Sequence, residues 1–351
     1  MPRVWDVPVH DSTRVRDARV AAERAAALAG LDAKRTAALS LVATELATNL
    51  VKHAGGGQLL VELVPPTLPA DAALPARLVQ ITAIDHGPGI ADVTAALSDG
   101  FSTAHSLGAG LGTCRRVADD FALHSVPGRG TVALARIGAA GTTPAENTAA
   151  VRAGGINVPF ARGEYSGDAW TWVRAGDRAT LMLADGLGHG PDAARASAAA
   201  VEELHRSAHL SPADCLGRLD SALRGTRGAA VAVAQVDTAA GLLRFAGVGN
   251  IGARLRTGDA WRSLLSRPGI IGVHRPGTLR EDRMPWAADA TLILHSDGLP
   301  SRWTPPAEAA MLTADPAVVA AGVIRDAGSA ARPVRDDTAV AVLAPTRPER
   351  P

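Results

Sequence analysis

The sequence predicts an α/β (α+β) protein built from two domains. Its 351 residues exceed the length that one ordinary hydrophobic core serves. Helical and strand patterns alternate along the chain, and the second half is richer in strands. Between the halves, residues 138–152 read GAAGTTPAENTAAVR, a small, polar, Pro-containing stretch typical of a linker. We therefore expect domains at residues 1–138 and 153–351, joined by a linker at 139–152.

The composition narrows the class of protein. Hydrophobic residues make up 47% and charged residues 20%, which is normal for a globular protein. The formal net charge of +1 gives no electrostatic basis for binding nucleic acid or an anionic membrane. The N-terminal stretch lacks the apolar core of a signal peptide, and no apolar run approaches the ~18 residues of a membrane span. Cys114 and Cys215 suggest neither a zinc site nor a disulfide framework, so we expect a soluble cytoplasmic protein.

The first half is expected to combine helices with a sheet. Helical spacing predicts one helix from Thr13 to about Gly30 and another from Ala33 to Ala54, which ends at three glycines. Strands are predicted at 59–64 and 76–85, and a further helix from Thr113 to Phe121. The runs FALHSV and GTVALARI close this half as a hairpin.

The second half is expected to be a β-rich layered α/β domain. The predicted strands lie near 169–174, 179–184, 229–237, 241–248, 290–296 and 338–344. The predicted helices lie at 191–209, 211–224 and 307–328.

Three motifs of the first half carry polar or glycine residues in unusual places. In LVATELATNLVKHAGGG, Glu45 and Asn49 are four residues apart and share one helix face, where a solvated polar stripe is the simpler reading. In IDHGPGI, Asp85 follows a strand, and two glycines beside it would admit a flat ring, although a plain turn explains them equally well. SLGAGLGT brings glycines to a helix N-terminus, which can bind phosphate, but it is not a Walker P-loop.

Together, in this order and spacing, the motifs resemble the N, G1 and G2 boxes of the GHKL ATPase/kinase superfamily over roughly residues 10–138. Within it, the RsbT-type switch serine kinases, which phosphorylate STAS-domain proteins, are most similar. The resemblance implies a two-layer α/β sandwich that binds Mg-ATP. It also implies that Asn49 holds Mg²⁺, Glu45 acts as general base and Asp85 reads the adenine. The glycines that would shape the nucleotide pocket are Gly87, Gly89, Gly108, Gly110 and Gly112.

Acidic residues follow or precede the predicted strands of the second half. They are Asp168 in YSGDAW, Asp185 in ADGLGHG, Asp297 in SDGL, and Asp336 and Asp337 in RDDTAVAVL. A single Asp-Gly pair is most simply a turn. Several carboxylates at one end of a β-sandwich would suit two hard divalent cations, which can activate water and stabilise phosphoryl transfer.

These motifs occur in the order found in SpoIIE-type phosphatases, a bacterial branch of the metal-dependent 2C-type protein serine/threonine phosphatases, which residues 153–345 resemble. The resemblance implies a four-layer αββα sandwich with two Mn²⁺ or Mg²⁺ ions. Asp185 would bridge the metals and Gly186 would contribute its carbonyl. Asp168, Asp297 and one of Asp336 and Asp337, preferably Asp336, would complete the site. Asn250, in GVGNIG, is interpreted as a turn residue.

The sequence therefore predicts a bifunctional partner-switching regulator. Its second half would dephosphorylate phosphoserine or phosphothreonine of a STAS-domain protein, in a sigma-factor regulatory network or stressosome. Its first half would phosphorylate the same or a related protein. Two alternatives stay open: an N-terminal domain that binds nucleotide or a partner and only regulates the phosphatase, and a wholly non-catalytic adaptor. No nucleic-acid or membrane partner is expected.

Overall fold

A computed structural model describes residues 3–65, 78–97, 110–139, 150–328 and 336–346. This part of the chain forms three antiparallel sheets of five strands each, with helices between and outside them. No helix in the described ranges is both long and apolar enough to cross a membrane.

The first sheet belongs to the N-terminal half and has the strand order β1-β2-β3-β5-β4. Its strands are β1 (Val4–Val9), β2 (Gly57–Val64), β3 (Leu78–Ile84), β4 (Asp120–Val126) and β5 (Gly130–Ile137). The helices of this half are α1 (Arg14–Ala29), α2 (Ala33–Ala54), α3 (Val93–Ala96) and α4 (Leu111–Val117). Helices α1 and α2 pack on one face of the sheet through a core of alanine, leucine and valine.

Local sequence explains the two long helices. Asp32 caps the N-terminus of α2 by accepting a hydrogen bond from the Arg35 N–H. Both α1 and α2 end where the chain turns left-handed, at Gly30 (φ 68°) and Gly55 (φ 71°). The second helix thus has defined ends, and Glu45 and Asn49 lie half-buried along it.

The C-terminal half contains the other two sheets. One has the order β13-β10-β9-β8-β7, and the other has the order β12-β11-β14-β15-β6. The elements in chain order are β6 (Val151–Val158), β7 (Asp168–Ala175), β8 (Arg178–Gly186), α5 (Pro191–Ser207), α6 (Pro212–Ala222), β9 (Ala229–Asp237), β10 (Leu242–Val248), β11 (Gly252–Thr257), β12 (Ala260–Leu264), β13 (Asp282–Pro285), β14 (Thr291–His295), α7 (Ala309–Thr313), α8 (Pro316–Ala327) and β15 (Thr338–Pro345). The two sheets pack face to face, and α5 and α6 cover the outer face of the β7-containing sheet.

Helix α8 joins the two halves of the molecule. Every residue from Pro316 to Arg325 is buried, because the helix lies between the outer face of the β6-containing sheet and the free face of the first sheet. A helix that is apolar on all sides is a buried helix. The layers therefore run from α5 and α6 through two sheets to α8, then through the first sheet to α1 and α2. The predicted two-layer and four-layer sandwiches are both present, and they share the layer at α8.

The structure adds five strands that the sequence patterns do not predict, β1, β6, β11, β12 and β13, and corrects other details of the predicted elements. The helix predicted from Thr113 to Phe121 ends at Val117, and Phe121 lies in strand β4. The single helix predicted at 307–328 is two helices, because Asp315 caps a new helix that has Pro316 in its first turn. Strand β6 begins at Val151, inside the segment predicted as a linker, and most of that segment lies outside the described residues.

A buried ion pair anchors α8 to the first sheet. The Arg136 guanidinium of β5 makes two hydrogen bonds with the Asp315 carboxylate, at 2.8 and 2.9 Å, and it also pairs with Asp120. Burial acts to raise the pKa of Asp315, but the adjacent Arg136 charge lowers it below its ordinary value. We predict that Asp315→Asn, which keeps the helix cap, destabilises the protein by about 2–3 kcal/mol at pH 7. Since the folded-state pKa is lowered, this stabilisation is present above about pH 4 and is lost as the pH falls further.

Urea unfolding between pH 3 and pH 7 measures this prediction. The difference between wild type and Asp315→Asn should shrink towards acidic pH. The matched control is Glu23→Gln, which removes the exposed pair with Arg19 and should change stability by less than about 0.5 kcal/mol. A difference of equal size at every pH would contradict the assignment of the effect to the Asp315 charge.

Candidate functional site

The acids of the second half converge at one end of the two facing sheets. Asp168 begins β7, and its register partner on β8 is Asp185. Asp297 follows β14, and Asp337 immediately precedes the neighbouring strand β15. The ends of four strands from two sheets thus bring these carboxyl groups to the same end of the sandwich.

Burial and neighbouring negative charges dominate the electrostatics of this cluster. Asp168 is fully buried, and its carboxylate oxygens make no hydrogen bond of ordinary geometry among the described residues, although the Ser296 hydroxyl and the Asp185 carboxyl group lie beside them. Burial raises the pKa of Asp168 well above its usual range, and the Asp185 charge raises it further. Burial and the charges of Asp297, Asp336 and Asp337 raise the pKa of Asp185 to about 7. Such acids require a cation or protons between them.

Asp336 and Asp337 have different surroundings. Asp337 is buried, and its two oxygens accept hydrogen bonds from the N–H groups of Phe160 and Gly167, each at 2.8 Å. Asp336 is exposed and uses one oxygen to accept the Asp337 N–H at 2.8 Å. Asp337 thus holds the segment between β6 and β7 in place. This arrangement supports Asp336 as the residue with an oxygen free for a metal ion.

The donor set fits hard divalent cations. Carboxylate and carbonyl oxygens are the ligands that Mg²⁺ and Mn²⁺ prefer, and the buried carboxylate oxygens of Asp168 are of this type. As they are placed, no three His, Cys, Asp or Glu side chains in the described ranges are arranged to hold an ion. The metal ligands, including Asp297 and the carbonyl of Gly186, therefore stay a prediction.

Gly186 permits the close approach of helix α5 to this site. A Cβ atom at Gly186 would lie 2.2 Å from the backbone oxygen of Ala193 and 2.8 Å from its carbonyl carbon. Because both atoms are backbone, no side-chain movement could relieve the clash. The packing of α5 therefore requires a glycine after Asp185. The predicted role of Gly186 in metal binding concerns its backbone carbonyl.

Sequence reasoning missed three polar residues around the acids. Asn250, interpreted as a turn residue, also donates from Nδ2 to Asp297 Oδ2 at 2.6 Å. The hydroxyl of Ser296 accepts the Ala339 N–H at 2.9 Å and lies beside Asp168. Asn157 donates from Nδ2 to the backbone oxygen of Asp168 at 2.7 Å. These contacts join residues that are separated along the chain, so the sequence around each residue contains no signal of the contact.

The predicted nucleotide residues of the first half lie along α2 and at the end of β3. Glu45 and Asn49 are half-buried on α2, and burial raises the pKa of Glu45. Gly110 is the N-terminal capping residue of α4, and Gly112 lies in its first turn. Gly108 lies outside the described residues.

Asp85 is held in a fixed orientation. Its Oδ1 accepts the N–H groups of Gly87 at 2.8 Å and Thr131 at 3.1 Å. Burial raises its pKa, and these two bonds act in the opposite direction. Both hydrogen bonds are to Oδ1, so Oδ2 remains available to accept a hydrogen bond from a ligand amino group.

Glycines shape the loop after Asp85. A Cβ at Gly87 would lie 2.7 Å from the Cα of Ala54, at the end of α2. Gly89 is left-handed (φ 72°), and its Cβ would lie 2.3 Å from the Val126 oxygen. Both positions therefore require glycine, and the loop is packed between α2 and β4.

Two protein-family models match this chain, one in each half. Residues 9–136 match the histidine kinase-like ATPase domain, and residues 175–345 match the stage II sporulation protein E (SpoIIE) family. The chain joins a kinase-like ATPase domain to a SpoIIE phosphatase domain. This confirms the two resemblances that the motifs predict.

Individual proteins and solved structures are also similar to parts of this chain. The serine/threonine-protein kinase RsbT of Bacillus subtilis (strain 168) is 42% identical over 95 residues, which are 27% of this chain and 66% of RsbT. A solved structure from work on the bacterial stressosome is 29% identical and covers 55% of this chain and 98% of its own, with a TM-score of 0.49. The PP2C phosphatase domain of Bacillus subtilis SpoIIE with a fragment of its regulatory domain is 16% identical, covers 95% of this chain and 98% of its own, and has a TM-score of 0.46.

We predict that Gly87→Ala weakens nucleotide binding by about 10-fold. The added methyl group meets the Ala54 backbone, and overpacking of about 1–3 kcal/mol moves the loop that follows Asp85. Titration with a fluorescent ATP analogue measures the affinity. Gly217→Ala is the control, since a Cβ there meets nothing within 4 Å. Unchanged affinity in the Gly87 variant would contradict the assigned role of the loop.

Proposed function

We propose that this chain is a bifunctional partner-switching regulator. Its phosphatase domain hydrolyses phosphoserine or phosphothreonine on a STAS-domain protein and uses two Mn²⁺ or Mg²⁺ ions. Its kinase-like domain binds Mg-ATP and phosphorylates the same or a related protein. The observation that carries the proposal is the convergence of Asp168, Asp185, Asp297, Asp336 and Asp337 at one end of the sandwich, with the Asp168 carboxyl group fully buried among negative charges.

The residues of the phosphatase site have separate tasks in this proposal. Asp185 and Asp168 hold the metal ions from the paired strands β7 and β8, and Asp297 and Asp336 bind from the facing sheet. The metal ions supply an activated water and charge stabilisation to phosphoryl transfer. Asn250 orients Asp297, and Asp337 fixes the segment from Phe160 to Gly167. Exposed Leu187 extends the site rim, where a protein substrate can make apolar contact.

In this proposal the kinase-like domain transfers phosphate from Mg-ATP. Asp85 offers Oδ2 to the adenine amino group, and Asn49 on α2 binds Mg²⁺. Glu45, one helical turn before Asn49, acts as general base towards the substrate hydroxyl, a task that its burial-raised pKa favours. RsbT is a serine/threonine kinase, and its likeness to this chain supports transfer to protein.

A second function has structural support of its own. His86, next to Asp85, donates a hydrogen bond from Nε2 to the backbone oxygen of Arg325 in α8 at 3.0 Å. Nucleotide bound at Asp85 would therefore act on a helix of the phosphatase domain. In this alternative the kinase-like domain binds ATP and only regulates the phosphatase.

The phosphatase proposal is tested with Asp185→Asn. We expect wild type to hydrolyse an aryl phosphate and a phosphoserine peptide in the presence of Mn²⁺. The substitution should lower the rate by more than about 100-fold, since even ligand-orienting residues of metal sites contribute about 10- to 100-fold. Asp177→Asn, in the turn at the opposite end of β7 and β8, is the control and should leave the rate unchanged. A folded, Mn²⁺-loaded wild type without activity on either substrate or on a phosphorylated STAS protein would favour the adaptor alternative.

The kinase proposal is tested by phosphate transfer from labelled ATP to a candidate STAS-domain protein. We expect Glu45→Ala to lower transfer by about 100-fold or more while ATP binding persists, because a general base acts on the chemical step. Asp85→Asn should instead abolish binding of ATP. ATP binding without transfer in wild type, across all STAS proteins tested, would select the regulatory alternative.

A further inference from the structure

The first sheet contacts the open edge of β6 through two polar side chains. Strand β6 is the last strand of its sheet, so alternate backbone groups on its outer side have no strand partner. Glu62 on β2 and Gln80 on β3 are register partners, side by side on the face that meets this edge. Glu62 accepts the N–H of Asn157 at 3.1 Å, and Gln80 donates from Nε2 to the oxygen of Gly155 at 3.1 Å.

This pair of side chains acts as a substitute strand for β6. The N–H of Asn157 and the C=O of Gly155 belong to residues two apart in β6, so both groups point to the same outer side of the strand. Glu62 accepts a hydrogen bond from the first of these backbone groups and Gln80 donates one to the second, so neither group is left unpaired. Glu62 and Gln80 are 3% and 0% exposed, so water is excluded and these bonds have no ready replacement.

Asn157 extends this contact to the phosphatase site. Its backbone N–H is held by Glu62, and its own Nδ2 donates to the backbone oxygen of Asp168 at 2.7 Å. Asn157 is 3% exposed and Asp168 is fully buried. A continuous buried path therefore runs from β2 of the kinase-like domain to the first residue of β7, where the predicted metal ligand lies.

Gln80, the neighbour of Glu62 on β3, is anchored as well. It accepts a hydrogen bond from the Arg136 Nε at 2.9 Å, and Arg136 is fixed by its pair with Asp315. Burial raises the pKa of Glu62 to about 8, which favours the neutral acid in its contact with Asn157. A glutamine side chain reproduces this state in size, charge and accepting oxygen.

We propose that Glu62 of the kinase-like domain is a positioning residue of the phosphatase metal site, acting through Asn157 on the backbone of Asp168. The inference rests on the proposed phosphatase function. Without the Glu62 acceptor, the buried N–H of Asn157 is unpaired, β6 shifts to find a partner, and the Asn157 amide moves with it. The Asp168 carboxylate is then displaced relative to Asp185, and the metal ions bind less tightly.

Two variants of the full chain, Glu62→Met and Glu62→Gln, test the proposal at pH 7. The introduced methionine and glutamine side chains are of similar length and differ in the hydrogen-bonding groups at their ends. Mn²⁺ affinity is measured by isothermal titration calorimetry and by the EPR signal of free Mn²⁺, and hydrolysis of an aryl phosphate gives kcat and KM. We expect Glu62→Met to weaken Mn²⁺ binding by about 10-fold, as loss of ligand-orienting bonds does, and Glu62→Gln to retain wild-type affinity.

Leu60→Ala is the matched control for a purely structural effect. Leu60 lies two residues from Glu62 on the same face of β2, is fully buried and packs in the same interface core. It should lower the unfolding temperature without changing Mn²⁺ affinity in the folded protein. If Glu62→Met does not fold, Asn157→Ala removes the second bond of the path and is expected to give the same 10-fold loss.

The outcomes separate this inference from the proposed function. Wild type that binds no Mn²⁺ overturns both. Wild type that binds Mn²⁺ and hydrolyses phosphate, with unchanged affinity in Glu62→Met, overturns the inference alone. Equal losses of affinity in Glu62→Met, Glu62→Gln and Leu60→Ala also overturn it, because they would assign the effect to interface packing. Loss in the methionine variant with rescue by glutamine supports it.

Discussion

The burial of helix α8 between two sheets is the constraint on which the rest of the structure depends. The helix reads PAVVAAGVIRDA, and from Pro316 to Arg325 it has no solvated face. An apolar helix of this kind is stable only if both of its sides are covered. One side is covered by β6 and β15 of the phosphatase domain and the other by the sheet of the kinase-like domain. The two domains therefore share one hydrophobic core.

The shared core determines how the polar residues on one face of the first sheet, the face that meets α8 and β6, find hydrogen-bond partners. An open sheet face would be solvated, and Glu62, Gln80 and Arg136 would be ordinary surface residues. Because α8 and β6 cover this face, each must find a partner inside the protein. Arg136 pairs with Asp315, and Glu62 and Gln80 bond to the edge of β6. The polar contacts fix the relative position of the domains, which apolar packing alone leaves less specific.

Local patterns predicted the parts of the fold that local forces determine. Helices α1 and α2 follow from their apolar spacing and terminal glycines, and the acids of the candidate metal site follow from motifs at strand ends. The short edge strands β12 and β13 were missed because their side chains are mostly exposed and give no alternating pattern. The break at Asp315 was missed because the apolar pattern continues across it. Asn157 could not be found from sequence, since its partner Glu62 lies 95 residues away.

The position of α8 also relates the two predicted sites to each other. The carbonyl groups at the C-terminal end of a helix lack intrahelical partners, and His86 supplies a donor to one of them, that of Arg325. Its neighbour Asp85 is the residue proposed to bind the adenine. At its N-terminal end the same helix lies against Gly154 of β6, where a Cβ would be 2.7 Å from the Ala317 nitrogen. A ligand that favours one position of His86 favours one position of α8 and β6, and hence of Asn157 and Asp168. Any such coupling is reciprocal, so metal binding in the phosphatase domain must change nucleotide affinity by the same factor.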